Sequence, residues 1–331
     1  MRLPNLCCVH SINRLYTEYR LGKKNSDSVY LRCKAGMDSN TMNIKVNNIG
    51  QMSPTEILFR KVKECMNPVF RPMLSEVRFA IETKNLYFQP FTFVLPHGRG
   101  AGALSAIMLT ILYALAKDEE NLSKEVERWL CKRYSRAKIP EYHIAKTQNR
   151  MIKGHVVCLC TSIDQAKETM EHMEWAIEKL GMKREYQKSQ EKMYIEKRVI
   201  GQRIYFMTIE RFKEFKGQFK YVIFPDVDRM KQNQYHKAAY KALINVQEDV
   251  NTFCFVEYKV PAEDTHWTYD QFTKRASKGK TYHRYFGTYK TMPKEYLGEF
   301  FYREADILKT SNPKGYENEF LGKVTIKKRS E

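Results

Sequence analysis

Phe91-Thr92-Phe93-Val94-Leu95-Pro96-His97-Gly98-Arg99-Gly100-Ala101-Gly102-Ala103-Leu104-Ser105 is the stretch that decides the fold. The apolar run 91–95 reads as a buried strand. Behind the glycines, Leu104, Ile107, Met108, Ile111, Leu112 and Leu115 recur at helical period. Strand, glycine-rich turn and helix are the setting of a phosphate-binding loop: glycines let backbone N–H groups turn inward, and the helix N-terminus adds positive potential. A working loop reads G-x-x-x-x-G-K-[ST]. Here His97 stands at the first glycine, Ala103 at the lysine and Leu104 at the magnesium-holding hydroxyl. Ser105 comes one residue late, and one residue turns a helix by about 100°. Gly98, Arg99, Gly100 and Gly102 are what remains to face a phosphate.

Working outward, the pattern alternates. Residues 156–160, 220–224 and 252–258 are further buried strands, and 193–195 with 202–207 alternate as a hairpin around Gly201. Ser53-Pro54 opens a short helix to about residue 65, and Asn67-Pro68 and Arg71-Pro72 punctuate the chain after it. Ser162 and Gln165 have capping-box spacing at the head of a helix that Gly181 closes. Residues 117–154 read as a long polar stretch with one helix at 123–135. Further helices are expected at 236–246 and 294–309, the last stopped by Asn312-Pro313. Strands alternating with helices predict an α/β fold: a three-layer, mostly parallel sheet with helices on both faces, like the P-loop nucleoside triphosphatases of the ASCE class. The expected division is an ill-defined N-terminal extension over 1–65, one domain over 66–323 and a basic tail over 324–331.

The composition adds one strong statement. Lys and Arg number 57 against 38 Asp and Glu, a formal net charge of +19 spread along 331 residues. Such a surface attracts polyanions, nucleic acid first, though a lysine-rich soluble surface would give the same number. No basic amphipathic helix points to a membrane. The eight cysteines form no C-x-x-C pair and no paired Cys/His spacing, so no metal site is expected, and Cys158 and Cys160 read as core thiols. Without a signal-like start or an apolar run long enough to span a bilayer, a cytoplasmic, reducing location is expected.

A triphosphatase also needs acids at a strand end facing its loop, one helping to hold magnesium and one orienting the attacking water. The strand at 220–224 ends in Pro225-Asp226-Val227-Asp228. Pro225 takes the first acid's place and Asp226 the second. Acids after a strand are also ordinary turn residues. Asp226, with Arg99, is the candidate for catalysis.

At this point the chain resembles the ATPase domain of the tailed-phage terminase large subunit, the motor that drives DNA into a procapsid. The resemblance rests on Gly98, Arg99, Gly100 and Gly102 in the loop; the helix over 161–181; Gly201-Gln202-Arg203-Ile204-Tyr205-Phe206; Phe224-Pro225-Asp226; and Tyr258 to Pro261. His266-Trp267, Thr288-Tyr289, Leu308-Lys309, Asn312-Pro313, Tyr316 and Leu321-Gly322 then follow in the family's order. It implies double-stranded DNA as a partner and, by analogy, a portal protein and a small terminase subunit, with homo-oligomerisation allowed. The family's loop lysine, hydroxyl, first acid and sensor asparagine are replaced here by Ala103, Leu104, Pro225 and Lys259. ATP and magnesium are therefore expected to bind weakly if at all, and no cofactor is assigned. Whether the chain hydrolyses ATP stays open, with a lysine from elsewhere, such as Lys220, as a substitute. The sequence stops where the family's nuclease domain would begin, so no nuclease is expected.

Three functions follow: a packaging component with weak or absent ATP hydrolysis; a terminase-derived pseudo-ATPase acting as scaffold, regulator or decoy; and an ATP-independent nucleic-acid binder using Tyr282, Arg284, Tyr285, Phe286 and Tyr289 with Lys278 and Lys280 as a stacking stripe.

Overall fold

The computed structural model describes residues 52–83, 91–133, 154–198, 200–215, 219–244, 252–274 and 282–325. The N-terminal extension up to residue 51, Lys278, Lys280 and the tail from 326 lie outside the described residues.

The strands among the described residues are β1 (Phe91–His97), β2 (His155–Cys160), β3 (Tyr186–Ser189), β4 (Tyr194–Lys197), β5 (Gln202–Thr208), β6 (Phe219–Phe224), β7 (Phe253–Lys259) and β8 (Tyr282–Arg284). They form one sheet in the order β3-β4-β5-β2-β6-β7-β1-β8. All pairs from β5 to β8 are parallel; β3 and β4 fold back antiparallel at one edge. The helices that matter here are α1 (Pro54–Cys65), α2 (Arg71–Thr83), α3 (Ala103–Arg133), α4 (Ile163–Leu180), α5 (Gln232–Ile244), α6 (Glu299–Ser311) and α7 (Pro313–Glu319). The expected α/β architecture is the observed one.

Alternation along each central strand splits the core in two. Phe93, Leu95, Cys158, Tyr221, Ile223, Phe253 and Phe255 face a cluster shared with Val62 of α1, Leu74 of α2, Leu112 of α3 and Met173 of α4. Val94, Val157, Val222, Phe224, Cys254 and Val256 face the opposite cluster, with Ala238 and Ala242 of α5 and Phe272. A third, small cluster of Tyr289, Ala305, Tyr316 and Phe320 belongs to the C-terminal helices. Parallel strands buried on both faces read as nearly continuous apolar runs, and these do, with Thr92 and Glu257 as buried polar exceptions.

Several boundaries differ from the sequence reading. Arg71-Pro72 does not merely punctuate: it opens α2, because proline is tolerated in a helix's first turn. Val62 lies inside the main core, so α1 packs with the sheet. Asn312-Pro313 stops α6 at Ser311 as expected, and it also starts a further helix. The Asn312 side chain accepts the Gly315 N–H at 3.0 Å and caps a second helix, α7. The helix expected from 294 starts at Glu299, after a separate 3-10 turn at Lys294–Tyr296.

The largest difference is α3, one unbroken helix of 31 residues where a helix followed by a polar stretch was expected. At 1.5 Å per residue it is ~46 Å long. Its polar middle turn pins four elements. Lys117 pairs with Glu82 of α2 at 3.3 Å. Asp118 takes Lys220 and the Tyr221 hydroxyl of β6 at 2.5 and 2.8 Å. Glu119 takes Lys197 of β4 at 2.6 Å, and Glu120 accepts the Thr55 hydroxyl of α1. Lys197 is 1% exposed. Burial works against its charge, but the Tyr186 and Glu119 partners outweigh that and raise its pKa. Removing one member of a buried pair strands the other, which costs about 3–5 kcal/mol. Lys197→Ala should therefore lower unfolding stability in urea by about 3 kcal/mol, and Lys197→Met with Glu119→Leu should recover most of it. A loss under about 0.5 kcal/mol for the single change would show that water already solvates the pair.

Candidate functional site

In an open parallel sheet the cleft lies beyond the carboxyl ends of the strands, where chain direction switches. Here β1 leads to β2 across the intervening β7 and β6, and the ends of β1, β6 and β7 frame a cavity of about 210 Å³. It is lined from β1 and the glycine loop by His97, Gly100 to Ala103, Leu104 and Ser105. Gln165, Glu168, Thr169 and His172 line it from α4, with Asp226 after β6 and Glu257 on β7.

The floor is a buried ion pair. Leu95 stands opposite Glu257 in the β1–β7 register, so His97 and Glu257 share a sheet face one step apart. His97 Nε2 meets Glu257 Oε1, and His97 Nδ1 meets the Gly98 carbonyl at 3.0 Å. The other carboxylate oxygen, Oε2, accepts the Asp226 N–H at 2.7 Å. Burial would lower the His97 pKa, but the Glu257 carboxylate outweighs it and holds it above its ordinary value. Burial would raise Glu257, and His97 brings it below the usual carboxylate range.

Asp226 adopts a left-handed backbone, φ 45° and ψ 49°. A non-glycine residue holds that conformation only where its surroundings over-determine it. Glu257 fixes its N–H, and Gln165 Nε2 reaches both the Pro225 carbonyl and Asp226 Oδ2 at 3.2 Å. Gln165 thus completes only half of a capping box. Its N–H goes to Ser162 Oγ at 3.1 Å, while its Oε1 accepts from Thr161 N–H and hydroxyl at 2.6 and 2.8 Å. Burial, then the Glu257 charge, raises the Asp226 pKa. Asp228 accepts the Lys259 N–H at 3.0 Å and is pushed up to about 6 by burial and by Asp226 and Glu257.

The glycine loop turns outward. Gly98 N–H donates to the Gly287 carbonyl at 3.0 Å, Arg99 N–H to the Glu319 carbonyl at 2.7 Å and Ala101 N–H to the Gly98 carbonyl at 3.3 Å. Arg99, expected to serve catalysis, makes a double contact with Glu304 at 2.9 Å and one with Glu319 at 3.3 Å, above the Phe301 and Phe320 rings. Of the four expected phosphate-facing residues, Gly100 and Gly102 line the cavity; Gly98 and Arg99 do not. Lys259 lies 3.8 Å from Glu319, also outside the cavity. Lys220 is the second residue of β6, at the opposite end of the strand from the cavity, and is held by Asp118, so it does not reach the cavity. Among the described residues no lysine or arginine lines the cavity. No group of three or more His, Cys, Asp or Glu among them could hold a metal ion.

Three residues here were not singled out from sequence. Glu257 reads as one polar residue within the apolar strand 252–258, beside the expected sensor position but with no role given to it. His97 reads only as a lost glycine. Asn67 reads as a loop residue beside proline, yet it is buried and ties the Ala101 carbonyl at 2.9 Å and Thr291 at 3.0 Å. The aromatic stripe after β7 dissolves: Tyr282 packs on one sheet face, Tyr285 on the other and Tyr289 in the C-terminal cluster.

The family described as phage terminase large subunit matches residues 143–323, more than half of the chain. The chain belongs to this family. The matched segment contains Asp226 and Glu257 but not the glycine loop. No curated protein matches the chain. Among solved structures, the large terminase of bacteriophage HK97 aligns at TM-score 0.53 and 10% identity over 82% of this chain and 55% of that one. The large terminase of a thermophilic bacteriophage aligns at 0.46 and 8% identity over 73% and 51%. The ATPase domain of the Thermus phage P74-26 large terminase aligns at 0.45 and 10% identity over 70% and 88%. The chain thus spans about half the length of the first two of these terminases, and the HK97 likeness shows the shared fold. No helix among the described residues is long and apolar enough to cross a membrane.

The outward contact of the terminase loop is sterically tight. A side chain at Gly98 would run into the Phe320 carbonyl, whereas nothing lies within 4 Å of one at Gly298. Gly98→Ala should cost about 1–3 kcal/mol, the range for overpacking. Gly298→Ala should stay within about 0.5 kcal/mol. Equal urea midpoints for the two would mean that the loop and the C-terminal helices are not in contact.

Proposed function

We propose that this chain is a terminase large-subunit component of phage DNA packaging whose own nucleotide site binds and hydrolyses ATP weakly or not at all. One observation carries this: the groups that would grip a triphosphate are committed to the protein itself. Arg99 and the Gly98, Arg99 and Ala101 N–H groups face protein acceptors, and the cavity floor holds an internally neutralised His97–Glu257 pair. With Asp226 and Glu168 also at the walls, the field inside opposes a phosphate chain. The volume, about 210 Å³, is below the ~300–1,000 Å³ of ordinary small-molecule pockets. The residues present do not fit a magnesium–triphosphate group, so no catalytic step is derived through one.

Magnitudes support the reading. Each lost charge-assisted contact is worth roughly 1.5–3 kcal/mol, and each lost transition-state donor about 10²–10³ in rate. Absence of the lysine, the hydroxyl and the first acid leaves little turnover even without additivity. The same loop geometry favours, as a second reading, a pseudo-ATPase that acts as scaffold or regulator beside an intact motor. On either reading the +19 charge suits binding to duplex DNA, and family analogy supplies a portal protein and a small terminase subunit as partners.

Calorimetry with magnesium–ATP tests the proposal. The Ala103→Lys, Leu104→Ser double variant should bind at least tenfold more tightly than the natural chain. Equal affinities would refute the loss of nucleotide grip. Duplex DNA should bind at low salt and weaken steeply as salt rises; no binding at low salt would remove the packaging role.

A further inference from the structure

His97 has an acceptor at each ring nitrogen. Glu257 is a carboxylate and the Gly98 partner is a carbonyl, and neither can donate. Both contacts are hydrogen bonds only when both nitrogens carry protons. A neutral imidazole has one N–H and one lone pair, so it must give up one partner. The carboxylate is the stronger acceptor and keeps the proton at Nε2. The lone pair at Nδ1 then faces the Gly98 carbonyl oxygen, and that contact turns repulsive.

Gly98 is where this repulsion is felt furthest. Its N–H is held by Gly287, its carbonyl also accepts the Ala101 N–H, and its α-carbon abuts the Phe320 carbonyl. The next residue, Arg99, is bound through its backbone and side chain to Glu319. A displaced Gly98 peptide is therefore transmitted to the glycine loop and the end of α7.

We propose that His97 is a proton-controlled brace: the imidazolium ties the start of the glycine loop to Glu257 on β7, and loss of its proton releases the loop from the sheet. This holds whether or not the chain takes part in packaging. The charged groups around the imidazole are Glu257 and Lys259 on β7, Asp226 and Asp228 after β6, and Glu168 and His172 on α4. Glu257 is the one in contact with the ring. The raised His97 pKa agrees in sign: the brace is fully present below the ordinary histidine value and is lost as pH rises through the folded one. The depressed Glu257 pKa sets the lower limit, since its share is lost only as pH falls through that value.

The test is NMR on the full chain with ¹³C-labelled histidine and ¹⁵N amides, across pH 5 to 9, with His97→Asn assigning the resonance. His97 should titrate above the ordinary value of about 6.5. The Gly98, Gly100 and Gly102 amides should shift with the same midpoint, and their exchange protection should fall on its alkaline side. In Glu257→Gln the midpoint should drop by about 1–3 units, and the amides should follow it. His172→Asn should leave it in place. A His97 that is neutral at pH 6 would overturn the brace, and so would loop amides of the natural chain that show no titration between pH 5 and 9, a readout that does not require any variant to fold.

Discussion

A carboxylate 4% exposed at the end of a central parallel strand must be neutralised where it stands. Glu257 is that carboxylate, and the arrangement around the loop follows from it. β7 lies between β1 and β6, so only those strands and the helix above them can supply partners. β6 offers a backbone N–H, that of Asp226. β1 offers the side chain at position 97. A glycine there, as a working phosphate loop has, would leave Glu257 without a counter-ion. The histidine at the head of the loop and the acid on β7 are two halves of one interaction.

That interaction sets the potential of the cavity. Glu257 is neutralised by His97, but it still faces Asp226 and Asp228 across a short distance in a partly buried space, and both are harder to ionise as a result. The positive end of a 31-residue helix points into the same space. Dipole and carboxylates oppose each other across that cavity. Meanwhile the loop's outer side has become a packing surface: Phe301 lies against Gly100, Met292 against Gly102, and Arg99 bridges two glutamates on the C-terminal helices.

What the sequence made legible was whatever depends on local pattern. The strands β1, β2, β6 and β7 are readable because both their faces are buried and their residues are almost all apolar. The helix from Ile163 to Leu180 was readable because Ser162 and Gly181 mark its ends chemically. What stayed hidden depends on partners distant in sequence. The middle turn of α3 looks like a loop until Glu82, Lys197, Tyr221 and Thr55 are brought to it by four other elements. Arg71-Pro72 and Asn312-Pro313 hide the helices they open, because proline follows a helix end as readily as it sits in a first turn. Arg99 looked like a phosphate ligand because nothing local says that Glu304, two hundred residues on, will claim it. Glu257 is the sharpest case: one polar residue closing a run of apolar ones has no periodic signature, and its meaning appears only when His97 comes alongside.

The replaced loop positions also show where their side chains went. Ala103 is buried and Leu104 packs against the main core, and both also line the cavity. A lysine at 103 would enter a cavity whose strongest acceptor, Glu257, already has a cation, and it would compete with His97 for it. Two cations on one buried carboxylate leave a net charge that only an added anion could balance. The chain avoids that state by placing the cation at the head of the loop, where it meets Glu257 and the Gly98 carbonyl. With histidine at 97 and alanine at 103, Glu257 keeps a single cation, and the two cores that hold the sheet lie on its faces.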